Sequence, residues 1–308
     1  MLQGVSQGKR KPPRVALYGP AKIGKTSWAA QFPVPIFITT EDGTEGLGVD
    51  RYDAATEWKQ ILERLTAVAN GKHEYKTVVL DTLNGAAELA AQDRCATLFG
   101  GDWGPKGFAA FGQGMGATSE EMRRLLPLLD LCRDHGMTVV LLAHTGVQSV
   151  RNPVEGDFQK YAPEMDRRIW ARFAKWADMI GRADYEYIVM QRSGKDAKEG
   201  PGRVKGTNSR IVRWEGSAAE DAGCRAGFEM PAITPLSYQA FIEGLGHGES
   251  LLTEINALWH LLDADTAEKA LAWLGGSIAT ADPKKLPELL NRLRTIQAQA
   301  ENKEEGNG

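Results

Sequence analysis

The chain has 308 residues, 42% of them apolar and 25% charged, with a formal net charge of -3; this suits one sizeable α/β core with a small appendage and excludes a protein drawn to nucleic acid by its overall charge. Any nucleic-acid contact has to come from a local patch. Cys95, Cys132 and Cys224 match no zinc or disulfide framework and read as reduced thiols, and with neither a signal peptide nor a long apolar window the expected location is cytoplasmic, with no membrane partner.

Residues 1–13, which end on Pro12-Pro13, are expected to be disordered. Residues 15–18 form a short apolar strand, 19–24 a loop, and 25–31 a helix closed by Pro33 and Pro35. A second strand at 36–38 runs into Thr39-Thr40-Glu41-Asp42. Residues 54–69 show helical periodicity with Trp58, Ile61, Leu62 and Leu65 on one side, stopped by Asn70-Gly71. A third strand at 77–80 ends on Asp81, and a helix is expected over 84–98. Next comes a glycine-rich stretch with embedded aromatics, 100–116, then a long helix over 119–135. A fourth strand, 138–143, ends at His144 and is followed by a polar loop over 145–160. Residues 163–179 are expected to be helical, 185–190 a strand, 192–208 a hairpin tip and 210–214 a returning strand. This order predicts a mostly parallel sheet wrapped by helices in three α/β/α layers, with an antiparallel extension at one edge. The core is expected over 14–245. Beyond a glycine-rich joint at 244–248, amphipathic helices at 251–274 and 285–298 form an appendage over 250–300, before a disordered tail, 301–308.

The string Gly19-Pro20-Ala21-Lys22-Ile23-Gly24-Lys25-Thr26 fits the P-loop pattern, and Ser27 continues it into the helix. Backbone N–H groups of such a loop point at phosphates, and the following helix start adds a positive dipole end. Lys25 would reach the β- and γ-phosphates of ATP, and Thr26 would hold Mg²⁺ through its hydroxyl. An apolar strand ending on an acid supplies the second metal ligand, Asp81. Helix capping is the competing role for Asp81, and Thr82 and Asn84 are rival caps. No glutamate follows Asp81, so the water-activating base has to come from another strand end. Glu41 is placed for it because parallel strands end on one edge, with Asp42 and Glu45 as nearby rivals. His144, at the end of the fourth strand, is a candidate γ-phosphate sensor, with Thr145 the weaker neighbour.

The pieces GPAKIGKT (19–26), TTEDG (39–43), VVLDTLNG (78–85), FGGDWGPKGFAAFGQG (99–114), LLAHTGVQ (141–148) and KWAD (175–178) together carry a resemblance. The chain resembles the RecA-like P-loop ATPases of bacteriophages, the Sak4-type single-strand annealing proteins, grouped with AAA-type phage nucleotide-binding proteins. The resemblance covers residues 13–245. It implies a RecA-like core, catalysis by Glu41, and γ-phosphate sensing by His144. It also implies binding of single-stranded DNA through two loops. The first, 99–116, carries Trp103, Lys106, Phe108 and Phe111; the second, 146–162, carries Arg151, Lys160 and Tyr161, followed by Arg167 and Arg168. Aromatic rings stack on bases and cations meet phosphates. Related proteins carry an Ala-Lys-Asn-Arg segment near the end of the ATPase region. Here the lysine and asparagine are missing, and Arg225 remains as a candidate arginine finger acting in trans. The implied activity is DNA-coupled ATP hydrolysis in a homo-oligomer, ring or filament, that promotes annealing or strand pairing, with a single-strand-binding protein as a further partner. A replicative helicase-like motor or helicase loader is the alternative on the same core.

Overall fold

The computed structural model describes residues 11–190, 203–275 and 285–305. The expected N-terminal tail up to residue 10, the hairpin tip up to residue 202 and the last three residues lie outside them. The chain divides into two compact units, residues 1–223 with 232–238, and residues 224–231 with 239–308.

In the first unit, β1 (Arg14–Gly19) leads through the P-loop into α1 (Lys25–Ala29). The strands β2 (Pro35–Thr39), β3 (Asp50–Arg51) and β4 (Thr77–Asp81) follow, with α2 (Trp58–Asn70) between the last two. After α3 (Leu83–Phe99), α4 (Gln113–Met122) and α5 (Leu125–Asp134) come β5 (Thr138–Val150), β6 (Phe158–Pro163), α6 (Arg167–Trp176), β7 (Met179–Met190) and β8 (Arg203–Arg213). The sheet runs in the order β8-β7-β1-β5-β4-β2-β3, and the short strand Ile233–Pro235 pairs with the outer edge of β8. The pairings from β7 through β1, β5, β4 and β2 to β3 are parallel, whereas β8 is antiparallel to β7. This is a RecA/AAA-type α/β/α fold with antiparallel edge strands.

The near-continuous apolar runs of β1, β4 and β5 follow from burial on both faces. Ile61, Leu65 and Val68 of α2, Ala86 and Ala90 of α3, Leu125 and Leu129 of α5, and Ile169 and Phe173 of α6 pack with Val78, Leu80, Val139 and Leu141 of the sheet in one cluster. β1 lies between β5 and β7, while the chain first leaves it for β2 and β4 on the β5 side. The strand order therefore reverses at the end of β1, where α/β sheets open a crevice at their carboxyl ends.

Several boundaries differ from the sequence reading. β5 does not stop at His144 but continues to Val150, where it forms an antiparallel hairpin with β6 in place of the expected polar loop. The helix expected over 119–135 is two helices, α4 beginning earlier at Gln113 and α5 beginning at Leu125. α6 is shorter than expected, since Pro163 still belongs to β6 and Met179 already belongs to β7.

The second unit contains most of α7 (Tyr238–Leu258) together with α8 (Ala264–Leu274) and α9 (Lys285–Glu305). Its core joins Ile255, Leu274, Leu286, Leu289, Leu290 and Leu293. The glycines at 244–248 lie inside α7 and form no joint. Among the described residues, no helix is long and apolar enough to cross a membrane.

Candidate functional site: the P-loop and the strand ends around it

Parallel registry brings the site together. Gly19 stands beside His144, and Thr39 beside Asp81, so the ends of β1, β2 and β4 meet His144 of β5 at one edge. Gly19 has to be a glycine, because a methyl group there would lie 2.7 Å from the Ala183 carbonyl oxygen. Gly24 adopts φ 105°, a left-handed conformation that side chains disfavour, and Lys22 has φ 63°. Together they turn the chain from β1 into α1, where the Trp28 N–H donates to the Gly24 carbonyl at 2.9 Å.

Lys25 is buried and donates to the carbonyls of Gly19 and Pro20, both at 2.9 Å. Burial lowers its pKa, against the opposing pull of Asp81 and Glu41. Asp81 is 3% exposed and accepts a 2.7 Å hydrogen bond from Thr26 Oγ1. Burial raises its pKa. The Thr26 hydrogen bond counters this, the charge of Glu41 adds to it, and Lys25 and His144 oppose it. The competing cap role for Asp81 is filled by Thr82, whose hydroxyl accepts from the Gly85 N–H at 3.2 Å at the start of α3.

His144 joins the two halves. Its Nδ1 lies 3.4 Å from Lys25 Nζ and its Nε2 3.1 Å from Glu41 Oε1. An ammonium only donates, so Nδ1 accepts; the neutral ring with its proton on Nε2 then donates to Glu41. Sequence reasoning missed two supports. Asn84, buried, accepts the His144 N–H at 2.8 Å and donates to the Glu164 carbonyl at 2.5 Å. Thr40 Oγ1 accepts the Thr82 N–H at 2.9 Å, and a methyl group on Gly85 would lie 2.2 Å from that oxygen. Asn84 was visible only as a helix-start residue; nothing in the sequence points Thr40 at Thr82.

The Thr26 hydroxyl and the Asp81 carboxylate are adjacent hard oxygen donors, which fits Mg²⁺, an ion that keeps several waters and takes its other ligands from phosphates. Among the described residues no cluster of three or more His, Cys, Asp or Glu side chains forms a metal cage.

The predicted DNA-binding residues fall into two groups. Trp103 is 52% exposed, Lys106 is exposed and Phe111 is fully exposed, with a left-handed backbone at φ 48°. Phe108 is a correction. It is 5% exposed, packs edge-on against Phe99 and lies 4.6 Å from the Trp103 ring, so it anchors the first loop and has no face to offer a base. Gly114 serves that packing, since a methyl group on it would lie 2.3 Å from the Phe108 ring.

In the second group, Arg151, Lys160, Arg167 and Arg168 line a cavity of about 950 Å³ between the β5–β6 hairpin and α6. Lys160 is paired with Asp221 at 2.7 Å, and Arg168 with Asp166 at 3.0 Å. Arg168 also donates to the Gly112 carbonyl at 3.0 Å, which ties the first loop to α6. Arg151 and Arg167 are exposed and form no ion pair among the described residues. Tyr161 is 38% exposed and stacks under the Arg182 guanidinium at 4.6 Å, so one ring face is taken. Arg225 lies in the second unit, on an exposed turn.

The sequence profile of a family described as an AAA domain matches residues 11–226. The chain belongs to the AAA domain family. The match spans the P-loop, both acidic strand ends and His144, so the residues gathered above all lie within the AAA domain. That domain is of the nucleotide-binding, ATP-hydrolysing P-loop type. No curated protein matches the chain significantly. Among solved structures, the RadB recombinase is similar at 16% identity and a TM-score of 0.35, over 69% of this chain and 92% of that one.

Proposed function

We propose that this protein is an ATP-dependent, single-stranded DNA-binding recombination ATPase of the Sak4 type, acting as a homo-oligomer that promotes annealing or strand pairing. One observation carries the reading. β5, which holds His144 between Lys25 and Glu41, continues without a break into the hairpin that lines the cationic cavity. A change in the contacts of His144 on the nucleotide side is then coupled to the DNA side through one strand, and by linkage DNA changes nucleotide affinity by the same factor.

In this reading Lys25 leaves the Gly19 and Pro20 carbonyls to hold the β- and γ-phosphates of ATP. Thr26 and Asp81 hold Mg²⁺, which neutralises charge on the phosphate oxygens when bound. Glu41 orients and deprotonates the attacking water, and His144 positions Glu41 through the Nε2 hydrogen bond. Phe111 and Trp103 supply stacking faces, and Arg151 and Arg167 supply charge for the DNA backbone.

The test is ATP turnover measured with and without single-stranded DNA, on protein of known oligomeric state, together with annealing of complementary strands. Stimulation by DNA and faster annealing are expected. Turnover indifferent to DNA refutes the coupling. Strand separation driven by ATP would replace annealing by a helicase-like motor.

A further inference from the structure

The flank of the P-loop opposite Asp81 carries a cation with no role so far. β4, with Asp81, lies on the β5 side of β1; β8 lies on the other side, beyond β7. From β8, Arg210 reaches across to the loop: a methyl group on Gly24 would lie 3.0 Å from Arg210 Nη1 and 3.8 Å from Leu236 Cδ2. The backbone that presents it is fixed on both sides. Arg210 pairs with Tyr185 of β7, and its carbonyl accepts the Leu236 N–H at 2.9 Å. Ile211 and Val212, the next residues, are buried.

The electrostatics make this placement unusual. Arg182, on the adjacent strand, is neutralised by Asp184 and Glu220. Arg210 is exposed and makes no ion pair or side-chain hydrogen bond with any described residue. It nevertheless lies against a loop whose N–H groups and lysine are already positive. Like charges gathered in this way repel unless an anion sits among them. A guanidinium is the cation whose planar fork suits phosphate.

We infer that Arg210 is a second cation of the nucleotide site, supplied by the same chain, and that it contacts the part of the phosphate chain shared by nucleoside di- and triphosphates. The inference rests on the P-loop being the nucleotide site. The side of the nucleotide follows from the strand order. In that reading the groups that serve the metal and the γ-phosphate are Asp81 at the end of β4, Glu41 just after β2 and His144 within β5, all on strands on the β5 side of β1. Arg210 approaches from the β7 side, away from them. Loss of Arg210 therefore weakens ADP and ATP alike, unlike loss of a γ-phosphate contact.

The experiment measures dissociation constants by calorimetry for Mg·ADP and a non-hydrolysable Mg·ATP analogue, using the full chain. The proteins are the parent, Arg210→Ala, Arg210→Gln, Arg210→Lys and Lys25→Ala, each checked by thermal unfolding without nucleotide. A charge-assisted contact on an exposed side chain predicts about tenfold weaker binding of both nucleotides in the Ala and Gln variants, partly restored by Lys. Unfolding midpoints without nucleotide stay at the parent value, because Arg210 is exposed. Binding within twofold of the parent for both nucleotides in Arg210→Ala, with Lys25→Ala still impaired, overturns the inference and leaves the P-loop reading standing. Loss confined to the ATP analogue overturns the assignment to the shared phosphates. If the parent binds neither nucleotide, the P-loop reading fails and this inference fails with it.

Discussion

Replacing Asp81 with asparagine should stabilise the protein without nucleotide while destroying its use of Mg·ATP. Asp81 is 3% exposed, and its carboxylate accepts one short hydrogen bond from Thr26. Burial, aided by the nearby Glu41 charge, raises its pKa despite Thr26, Lys25 and His144. A raised folded pKa means that the folded chain prefers the protonated acid. The associated stability is fully present below the ordinary aspartate range and is lost as pH rises through the raised value. Ionising the buried carboxylate is thus a cost to folding. The amide still accepts from Thr26 and cannot ionise. A higher unfolding midpoint is expected, at about 2–4 °C for each kcal/mol gained in a domain of this size. With Mg·ATP the order reverses: ligand at a hundred times its dissociation constant adds about 2.7 kcal/mol to the parent, and the variant, lacking the metal ligand, gains far less. Thermal unfolding at pH 4 to 8, with and without a non-hydrolysable Mg·ATP analogue, reads both effects. A variant less stable than the parent at pH 7 to 8 without nucleotide, or one shifted as much as the parent by Mg·nucleotide, refutes the reasoning.

Glu41→Gln keeps the size and the hydrogen bond to His144 but removes the proposed base; nucleotide binding should persist while turnover falls more than a hundredfold (about 10²–10⁴ for general-base loss), and the same phenotype from Asp42→Asn or Glu45→Gln instead would move the base. Phe108→Ala should cost about 3–5 kcal/mol of stability in denaturant unfolding, as for a buried aromatic, whereas Phe111→Ala should stay within about 0.5 kcal/mol of the parent. In single-stranded DNA titrations Phe111→Ala should lose about 1–3 kcal/mol for any sequence; unchanged binding would remove Phe111 from the DNA surface. Arg225→Ala should lower turnover of the assembled protein and regain activity when mixed with Lys25→Ala; no recovery in subunits shown to exchange would refute a role in trans.

The nucleotide side of the site was legible in the sequence because its parts are local or fixed by parallel pairing. The P-loop is one contiguous string, and Glu41, Asp81 and His144 each follow an apolar strand, so the sheet register aligns them. The β5–β6 hairpin and the aromatic-glycine loop were less legible. Residues 145–150 are partly solvated on both faces in the hairpin and lack the apolar alternation of a half-buried strand, so they read as loop. Gly114 read as flexibility, but a side chain there would collide with the Phe108 ring, and Gly107 is held equally close by Asp102. Gly244, Gly246 and Gly248 read as a joint, yet lie in a helix whose propensity they only weaken. Arg210 carries no local signal at all, since its approach to Gly24 is created by the antiparallel return of β8.

The length of β5 has a consequence for how sequences of this kind can vary. Strand side chains alternate, so one residue inserted between Thr145 and Val150 would turn every later side chain of that arm to the opposite face of the hairpin, moving Val147 and Ser149 to the side held by Gly146 and Gln148 and breaking their registry with Tyr161 and Gln159. Insertions there should arrive in pairs or be matched by a bulge. The turn at 151–157 pairs with nothing in the ladder and can lengthen or shorten without shifting the registry of the arms. The sequence of the tip can therefore drift while His144, on the same strand, stays between Lys25 and Glu41.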